Sequence, residues 1–311
     1  MFENRWCKMN RKLSKRDVTE RIFWCVLIAP SVLIVTLFIV IPIIDSILKS
    51  FTDYKLVNIV KGIAPEWNQF ANYIKLFNSG VLTDSAVVTF TFVIATTVLS
   101  LAIGMSLALV LNSGIKGARI FRSLMMTPWV VPTVISALVW IWIYQPQYGL
   151  LRYLVNLVTI GHVSDFAILN SSKTALVGVV IVALWKQIPL MTLLLLAGLQ
   201  NVPTDILEAA QLDGANGAVG FFKITVPYMS SVIKTSVSMI IIDNFKQFPL
   251  FWQMTSGGPN GSTTTFAVLS YKEAFIGHNF GSGAAVTTIW MLVMILFVFF
   301  YNKLFPKTDF D

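Results

Sequence analysis

Residues 22–44, IFWCVLIAPSVLIVTLFIVIPII, hold no Asp, Glu, Lys or Arg in 23 successive positions. As an α-helix that rises about 1.5 Å per residue, such a segment reaches about 35 Å and exceeds the roughly 30 Å hydrocarbon core of a bilayer. Two further stretches, residues 85–115 and 123–151, are equally free of charged side chains. These three stretches predict a protein that crosses a membrane several times.

The composition of the whole chain agrees with this prediction. Of its 311 residues, 56% are hydrophobic and 12% are charged, whereas soluble domains carry about 25% charged residues. A soluble globular enzyme is therefore not expected. Hydropathy, with Pro, Gly and charge as punctuation, predicts an all-α membrane protein with six transmembrane helices surrounded by lipid. The predicted spans are residues 22–44, 86–111, 124–144, 174–199, 231–252 and 284–301.

The basic residues predict the orientation of the chain. The formal charge is +8, which could indicate nucleic acid, but seven Lys and Arg residues precede the first span. With a cytoplasmic amino terminus, the inner segments hold 13 Lys and Arg and the longer outer segments hold 8. Because cytoplasmic loops are enriched in Lys and Arg, both termini should face the cytoplasm, and we expect no nucleic-acid partner. Residues 1–21 are then a cytoplasmic leader and 302–311 a cytoplasmic tail, on either side of a membrane domain at 22–301.

Two prolines, Pro128 and Pro132, interrupt the third span. Each lacks a backbone N–H, so each should kink the helix, and a break within a bilayer needs protein or water around it. The kink could serve helix packing or line a pore, and the sequence leaves both possibilities open.

Residues 202–215, VPTDILEAAQLDGA, do not have the pattern of a simple connection between spans. Pro203 suits the first turn of a helix, and Gly214 supplies the conformational freedom to end it. A second short helix should then run towards Pro227. This pattern predicts a compact knob at about 200–228 on the cytoplasmic face, with Glu208 near its middle. The knob suits a groove on another protein better than catalysis, because it brings no nucleophile, base or metal cluster. Its apolar contacts are expected from Leu207, Ala210 and Leu212.

This loop resembles the coupling loop of permease subunits in binding-protein-dependent ABC importers, where E-A-A-x-x-D-G-A is followed by I-x-L-P. The matching residues are Glu208, Ala209, Ala210, Asp213, Gly214, Ala215, Ile224 and Pro227. Further motifs resemble the carbohydrate branch of these permeases, of the maltose, oligosaccharide and glycerol-phosphate type. They are PWVVP (128–132), PQYG (146–149), FKQF (245–248) and MTSGGP (254–259), so that the landmarks cover roughly residues 22–301.

The loop departs from the family pattern at two places. Residues 216–220, NGAVG, replace a bulkier stretch that is often aromatic and basic, and Val226 stands where Leu is commoner. We therefore expect the second half of the knob to be more flexible or to fit its ATPase differently.

The resemblance implies an importer of several subunits in a bacterial or archaeal cytoplasmic membrane. This chain would pair with a similar second permease, two cytoplasmic ATPase subunits and an extracytoplasmic solute-binding protein. The cargo would be a carbohydrate, and ATP and Mg²⁺ would bind to the ATPase subunits. The loop would lie in a cleft of the ATPase, with Glu208 reaching a basic partner.

The chain itself carries no pattern for nucleotide or metal chemistry. A Gly-Lys dipeptide occurs nowhere, so the phosphate-binding G-x-x-x-x-G-K-[ST] loop is absent. Neither His162 nor His278 has a second ligand or base beside it, and Cys7 and Cys25 form no disulfide or metal pattern. We expect no catalytic site, no metal site and no cofactor in this chain.

Polar residues cluster in the fourth and fifth spans, where they should face other helices or a water-filled cavity. Counting 1.5 Å per residue from the inner ends places them between mid-membrane and the outer half. We expect them to line the solute path, with amides and carboxylates replacing the hydration of sugar hydroxyls and Trp185 or Trp252 against a ring face. The alternative is an ion pair between Lys186 and Asp243 that only holds the helices together. The candidate residues are Trp185, Lys186, Gln187, Asp243, Asn244, Lys246 and Gln247.

Two other classes of protein stay open at this point. An ion-coupled secondary sugar transporter would also carry intramembrane charges, but it predicts inverted repeats and needs no ATPase. A membrane-embedded enzyme would need a paired nucleophile and base or a metal cluster. Neither class explains the Glu208 loop. The sequence also leaves the sugar open, because Lys186 and Lys246 would suit a uronate and a neutral oligosaccharide alike.

Overall fold

The computed structural model describes residues 15–158 and 167–304. Within these two ranges the chain is helical and has no β-strand, and the isolated bridges join Thr52 to Trp67 and Lys55 to Asn279. The predicted all-α architecture is thus confirmed for the described residues. Cys7, His162, most of the predicted leader and most of the predicted tail lie outside them.

The described residues form seventeen α-helices of very different length. In chain order they are α1 (Lys15–Val35), α2 (Ile41–Ser50), α3 (Leu56–Lys61), α4 (Ala71–Asn78), α5 (Val81–Asn112), α6 (Ala118–Met125), α7 (Thr127–Val130), α8 (Thr133–Ile143), α9 (Leu150–Val158), α10 (Ala175–Gln200), α11 (Thr204–Leu212), α12 (Gly217–Gly220), α13 (Val226–Tyr228), α14 (Ser230–Phe245), α15 (Pro249–Thr255), α16 (Phe266–Tyr271) and α17 (Phe280–Leu304). Single π-helical turns occupy Thr36–Val40, Phe221–Thr225 and Lys272–Ile276.

Among the described residues, four helical segments are long and apolar enough to cross a membrane. They are Phe23–Ser50, Val81–Asn112, Ala175–Gln200 and Phe280–Tyr301, and two bent helix pairs raise the number to as many as six. The first segment continues beyond its predicted end at residue 44. Asp45 and Lys49 lie one turn apart and form an ion pair at 2.6 Å, so the helix carries these charges without ending.

The third predicted span is broken rather than kinked. Ala118–Val130 and Thr133–Ile143 meet at an angle of 94°. Val131 is extended, with φ −62° and ψ 130°, because a residue before proline is kept out of the helical region. Pro132 therefore causes the break. The expectation that Pro128 also kinks the helix is wrong, since Pro128 lies in the first turn of α7, where the missing N–H has no helical partner to lose.

The fifth predicted span, residues 231–252, is also wrong at its second end. Helix α14 ends at Phe245, and Pro249 begins the separate helix α15. Proline fits the first turn of a helix and not the middle of one. Trp252 consequently belongs to α15, where its ring stacks on Phe248 with the ring centroids 5.7 Å apart.

Helices α5 and α10 form the central pair of the bundle. Their close approach depends on Gly104, because a Cβ atom there would lie only 2.8 Å from Cγ of Met191. Met191 and Leu195 of α10 are fully buried. They belong to the loop-side cluster, which consists of Ala108, Leu111, Met191, Leu195, Leu196, Leu199, Val202, Met229 and Ile240.

The first span is the least enclosed of the four described segments that are long enough to cross a membrane. Every side chain from Phe23 to Asp45 is exposed, and Phe38 is 75% exposed. Helix α2, in contrast, packs on α17. An apolar surface of this length fits lipid or another membrane subunit.

Candidate functional site

The segment that follows α10 has the predicted helix–glycine–helix pattern. Helix α11 ends at Leu212, and Gly214 has φ +85°, a conformation that favours glycine. Asn216 then caps α12, because its side chain accepts a hydrogen bond from the N–H of Val219 at 2.8 Å. Pro203 stands one residue before α11 and not in its first turn as predicted.

The knob turns its carboxylates outwards. Glu208 is exposed and makes no hydrogen bond or ion pair with any described residue. Leu207 is half-buried and packs on the loop-side cluster, whereas Leu212 is 89% exposed, so its expected contact within this chain is wrong. Of the motif residues, Ala210, Ala215 and Ile224 are half-buried, and the others are exposed: Glu208, Ala209, Asp213, Gly214 and Pro227.

A small cavity of about 270 Å³ lies beneath the knob. Its walls come from the end of α5, the end of α10 and the inner sides of α11 and α12. Ala210 and Ala215 face this cavity. These two alanines thus lie on the inside of the knob, while Glu208 and Asp213 lie on its outside.

A larger cavity of about 730 Å³ lies between α10, α14 and the break in the third span. We call it the polar cavity. It brings together five of the seven candidate residues, namely Lys186, Gln187, Asp243, Lys246 and Gln247. The sequence left open whether the kink at Pro128 and Pro132 lines a pore, and the structure places residues 129–133 in the wall of this cavity, among them Trp129 and Thr133. The PWVVP motif indicates that the helix breaks at this point, but it does not specify which way the broken helix turns.

Lys186 is almost enclosed, with 9% of its surface exposed. Its ammonium donates hydrogen bonds to the carbonyl of Val131 at 2.5 Å, the carbonyl of Pro128 at 3.4 Å and the hydroxyl of Ser136 at 3.4 Å. These partners all belong to the broken third span. Asp243 lines the same cavity as an exposed carboxylate, outside the set of hydrogen-bond partners of Lys186.

Two buried amides connect α10 to α14. Gln187 Nε2 donates to Asn244 Oδ1 at 2.5 Å, and Asn244 is 2% exposed. Gln187 Oε1 and Asn244 Nδ2 have no hydrogen-bond partner among the described residues. Asn244 lies behind the cavity wall, where it contacts Gln187 and does not line the cavity.

Neither candidate tryptophan lines the polar cavity. Trp185 packs edge-on against Trp140 of α8, with ring centroids 5.8 Å apart. Trp252 contacts Tyr271 at 4.6 Å in a separate aromatic group. Trp129 is the indole that the structure places at the cavity instead.

The described residues contain no group of three His, Cys, Asp or Glu side chains that could hold a metal ion. His278 is an exposed loop residue with φ 53°, and its carbonyl accepts the N–H of Leu56 at 3.0 Å. Cys25 is an exposed thiol in α1.

Comparison with known proteins gives three consistent findings. Residues 100–309 match the family of binding-protein-dependent transport system inner membrane components. The chain is 31% identical over 296 residues to the trehalose/maltose transport system permease protein of Thermococcus litoralis, covering 94% of this chain and 97% of that one. It is 28% identical over 293 residues to the sulfoquinovosyl glycerol transport system permease protein of Agrobacterium fabrum, covering 94% and 93%.

The fold is likewise that of a known transporter. A chain from a bacterial ABC transporter involved in the import of the acidic polysaccharide alginate superposes with a TM-score of 0.75 at 16% identity. The superposition covers 93% of this chain and 96% of that chain.

Proposed function

The chain belongs to the family of binding-protein-dependent transport system inner membrane components, and we propose that it carries an oligosaccharide across the membrane as one permease of an ATP-driven ABC importer. It is a multi-pass membrane protein and a transport component rather than an enzyme, like the relatives it matches. This membership favours the importer over the ion-coupled secondary sugar transporter.

One observation carries the proposal: a single unbroken helix connects the polar cavity to the knob. Helix α10 holds Lys186 and Gln187 at the cavity and ends at Gln200, next to α11. The distance from residue 186 to residue 200 along this helix is about 21 Å. Pro189 lies within this stretch without ending the helix, so a displacement of the knob can reach the cavity along one continuous helix.

In the proposed topology the broken pair Ala118–Val130 and Thr133–Ile143 forms one span and Ser230–Phe245 contributes another, which makes six spans with both termini in the cytoplasm. The knob then faces the cytoplasm and docks on an ATPase subunit. Glu208 meets a basic side chain of that subunit, and Asp213 and Pro227 lie at the same exposed surface. Gly214 sets the turn between the two helices, and Ala209, Ala210, Ala215 and Ile224 give the knob its shape.

The complete importer contains a similar second permease, two ATPase subunits and an extracytoplasmic solute-binding protein in a bacterial or archaeal cytoplasmic membrane. ATP and Mg²⁺ bind to the ATPase subunits, and this chain holds no cofactor. Closure of the ATPase pair moves both knobs and turns the cavity from inward-facing to outward-facing. Nucleotide can drive this change only if the knobs interact differently with the open and closed ATPase.

The solute path runs through the polar cavity. Asp243, Lys246 and Gln247 offer charged and amide groups to sugar hydroxyls, and Trp129 can lie against a sugar ring. A carbohydrate fits this mixture of polar groups, and the names of the relatives support the same class of solute. The bound solute is held weakly, because a tightly held solute would not leave.

The experiment is reconstitution of the complete complex in vesicles that contain ATP. We expect sugar uptake that requires ATP hydrolysis and the solute-binding protein, and we expect both ATPase subunits and a second permease to copurify with this chain. Sugar accumulation by vesicles that contain this polypeptide alone would contradict the proposal.

A further inference from the structure

The break in the third span leaves backbone carbonyls without helical partners. In a continuous helix the carbonyl of Pro128 would accept the N–H of residue 132, but that residue is proline and has none. Val131 is extended, so its carbonyl also leaves the helical ladder. An unpaired carbonyl is costly inside a membrane, where no bulk water can replace the lost partner.

The ammonium of Lys186 lies at these carbonyls. It donates to the carbonyls of Val131 and Pro128, and to the hydroxyl of Ser136, which in turn donates to the carbonyl of Pro132 at 3.2 Å. An ammonium has three N–H donors. The closest of the three contacts is the one to the carbonyl of Val131, so the ammonium is directed at the break.

Burial and charge both strengthen this arrangement. Ser136 is 1% exposed and Lys186 is 9% exposed, so water competes little for their hydrogen bonds. The ammonium also lies at the C-terminal end of the helical stretch Ala118–Val130. The partial negative charge of a helix C-terminus favours a cation at that position.

We propose that Lys186 is a positioning residue whose ammonium caps the carbonyls at the break of the third span and makes this cavity wall move with α10. The cap joins residues 128–136, which include the cavity wall at 129–133, to the helix that leads to the knob. Its consequence for transport rests on the proposed function, whereas the capping itself does not. Solute recognition in this chain then falls to Asp243, Lys246 and Gln247 at the end of α14, and to Trp129 and Thr133 at the break.

The first test is a double-mutant cycle measured by thermal unfolding of the purified complex. Pro132→Ala supplies the N–H that the carbonyl of Pro128 lacks. We expect Lys186→Met to lower the unfolding temperature, and to lower it less in the Pro132→Ala background, because the cap has less to satisfy there. An equal loss in both backgrounds, or no loss, would overturn the proposal.

Lys186→Arg and Lys61→Met are the controls for this cycle. Arg keeps charged N–H donors and should retain most of the stability. Lys61 is exposed on α3, so its replacement by Met should have no effect. If Lys186→Met does not assemble, Lys186→Arg is compared with Lys186→Gln, and failure of Arg to outperform Gln rejects the charged cap.

The second test separates capping from solute binding. In reconstituted vesicles Lys186→Met should lower the maximal uptake rate about tenfold, with an unchanged half-saturation concentration of solute-loaded binding protein. A raised half-saturation concentration at an unchanged maximal rate would make Lys186 a solute ligand and overturn the proposal. If the wild-type complex imports no sugar, the proposed function fails, and the unfolding cycle still decides the cap.

Discussion

Gln187 on α10 and Asn244 on α14 share one hydrogen bond of 2.5 Å, and each keeps one amide atom without a partner among the described residues. Gln187 lies in the wall of the polar cavity, and Asn244 is buried behind that wall. This hydrogen bond joins α10 to α14, and both helices line the cavity. The contact therefore helps to hold these two cavity walls at a fixed distance.

The first prediction concerns this amide pair. Replacing Asn244 by Leu leaves both polar atoms of the Gln187 amide unpaired, so the complex should lose about 1–3 kcal/mol of unfolding free energy. The double variant Gln187→Met, Asn244→Leu should lose less than the sum of the single variants, because no buried amide is left. Chemical unfolding of the purified complex measures these values, and strict additivity would show that the two amides do not interact.

The second prediction concerns the contact between α5 and α10. A Cβ atom at residue 104 would lie 2.8 Å from Cγ of Met191, so Gly104→Ala should destabilise the chain by about 1–3 kcal/mol. Gly217→Ala is the matched control, because nothing lies within 4 Å of its Cβ position. Equal unfolding temperatures for the two variants would contradict the close packing described for the central helix pair.

The third prediction concerns the turn of the knob. Gly214 has φ +85° and open space around its Cβ position, so a substitution there acts through backbone strain alone. Gly214→Val should strain the turn by about 1–2 kcal/mol and reduce the ATPase that copurifies with the chain. Gly214→Asn should retain more, because Asn adopts positive φ more readily. Equal recovery of ATPase with Val and with wild type would contradict the role of this turn.

The fourth prediction concerns Lys272, which lies between α16 and α17, outside the membrane-spanning segments. Burial lowers the pKa of this ammonium from its usual value of 10.5. The unfolded chain therefore binds the proton more tightly, so stability rises as the pH increases from the lowered pKa towards 10.5. The charged amine should destabilise the fold below that window.

Thermal unfolding of Lys272→Met across a pH series measures this effect. The variant should be stabilised relative to wild type at neutral pH, and the difference should shrink as the pH approaches the usual lysine pKa. Lys61→Met, an exposed lysine, should show no such trend. A difference that stays constant with pH would contradict the effect of burial on Lys272.

The sequence predicted those features that depend on local composition. The long apolar spans follow from hydropathy, and the knob follows from Pro203 and Gly214, whose backbone preferences act over a few residues. Most of the candidate polar residues line one cavity, as expected from the rule that polar groups within a membrane avoid lipid. Lys186 and Gln247 are far apart in sequence, yet both line it.

The features that the sequence did not predict depend on contacts between distant segments. Lys186 reaches Val131 across 55 positions of the chain, and no local pattern specifies that partner. Asp243 and Asn244 are adjacent polar residues, yet Asp243 is exposed and Asn244 is buried. The packing of α14 decides this difference. The fifth span ends earlier than predicted because Pro249 begins a new helix. An average of hydropathy over many residues does not detect such a break.

The account depends most on the coupling of ATP hydrolysis to transport through Glu208. The direct measurement is the rate of sugar uptake and the rate of solute-stimulated ATP hydrolysis by the reconstituted complex with Glu208→Ala. Asp205→Ala, which removes an exposed carboxylate earlier on the same helix, is measured beside it. We predict that Glu208→Ala abolishes both uptake and solute-stimulated hydrolysis while the complex still reaches the membrane, and that Asp205→Ala retains both. Uptake and solute-stimulated hydrolysis at wild-type rates in Glu208→Ala would contradict the account.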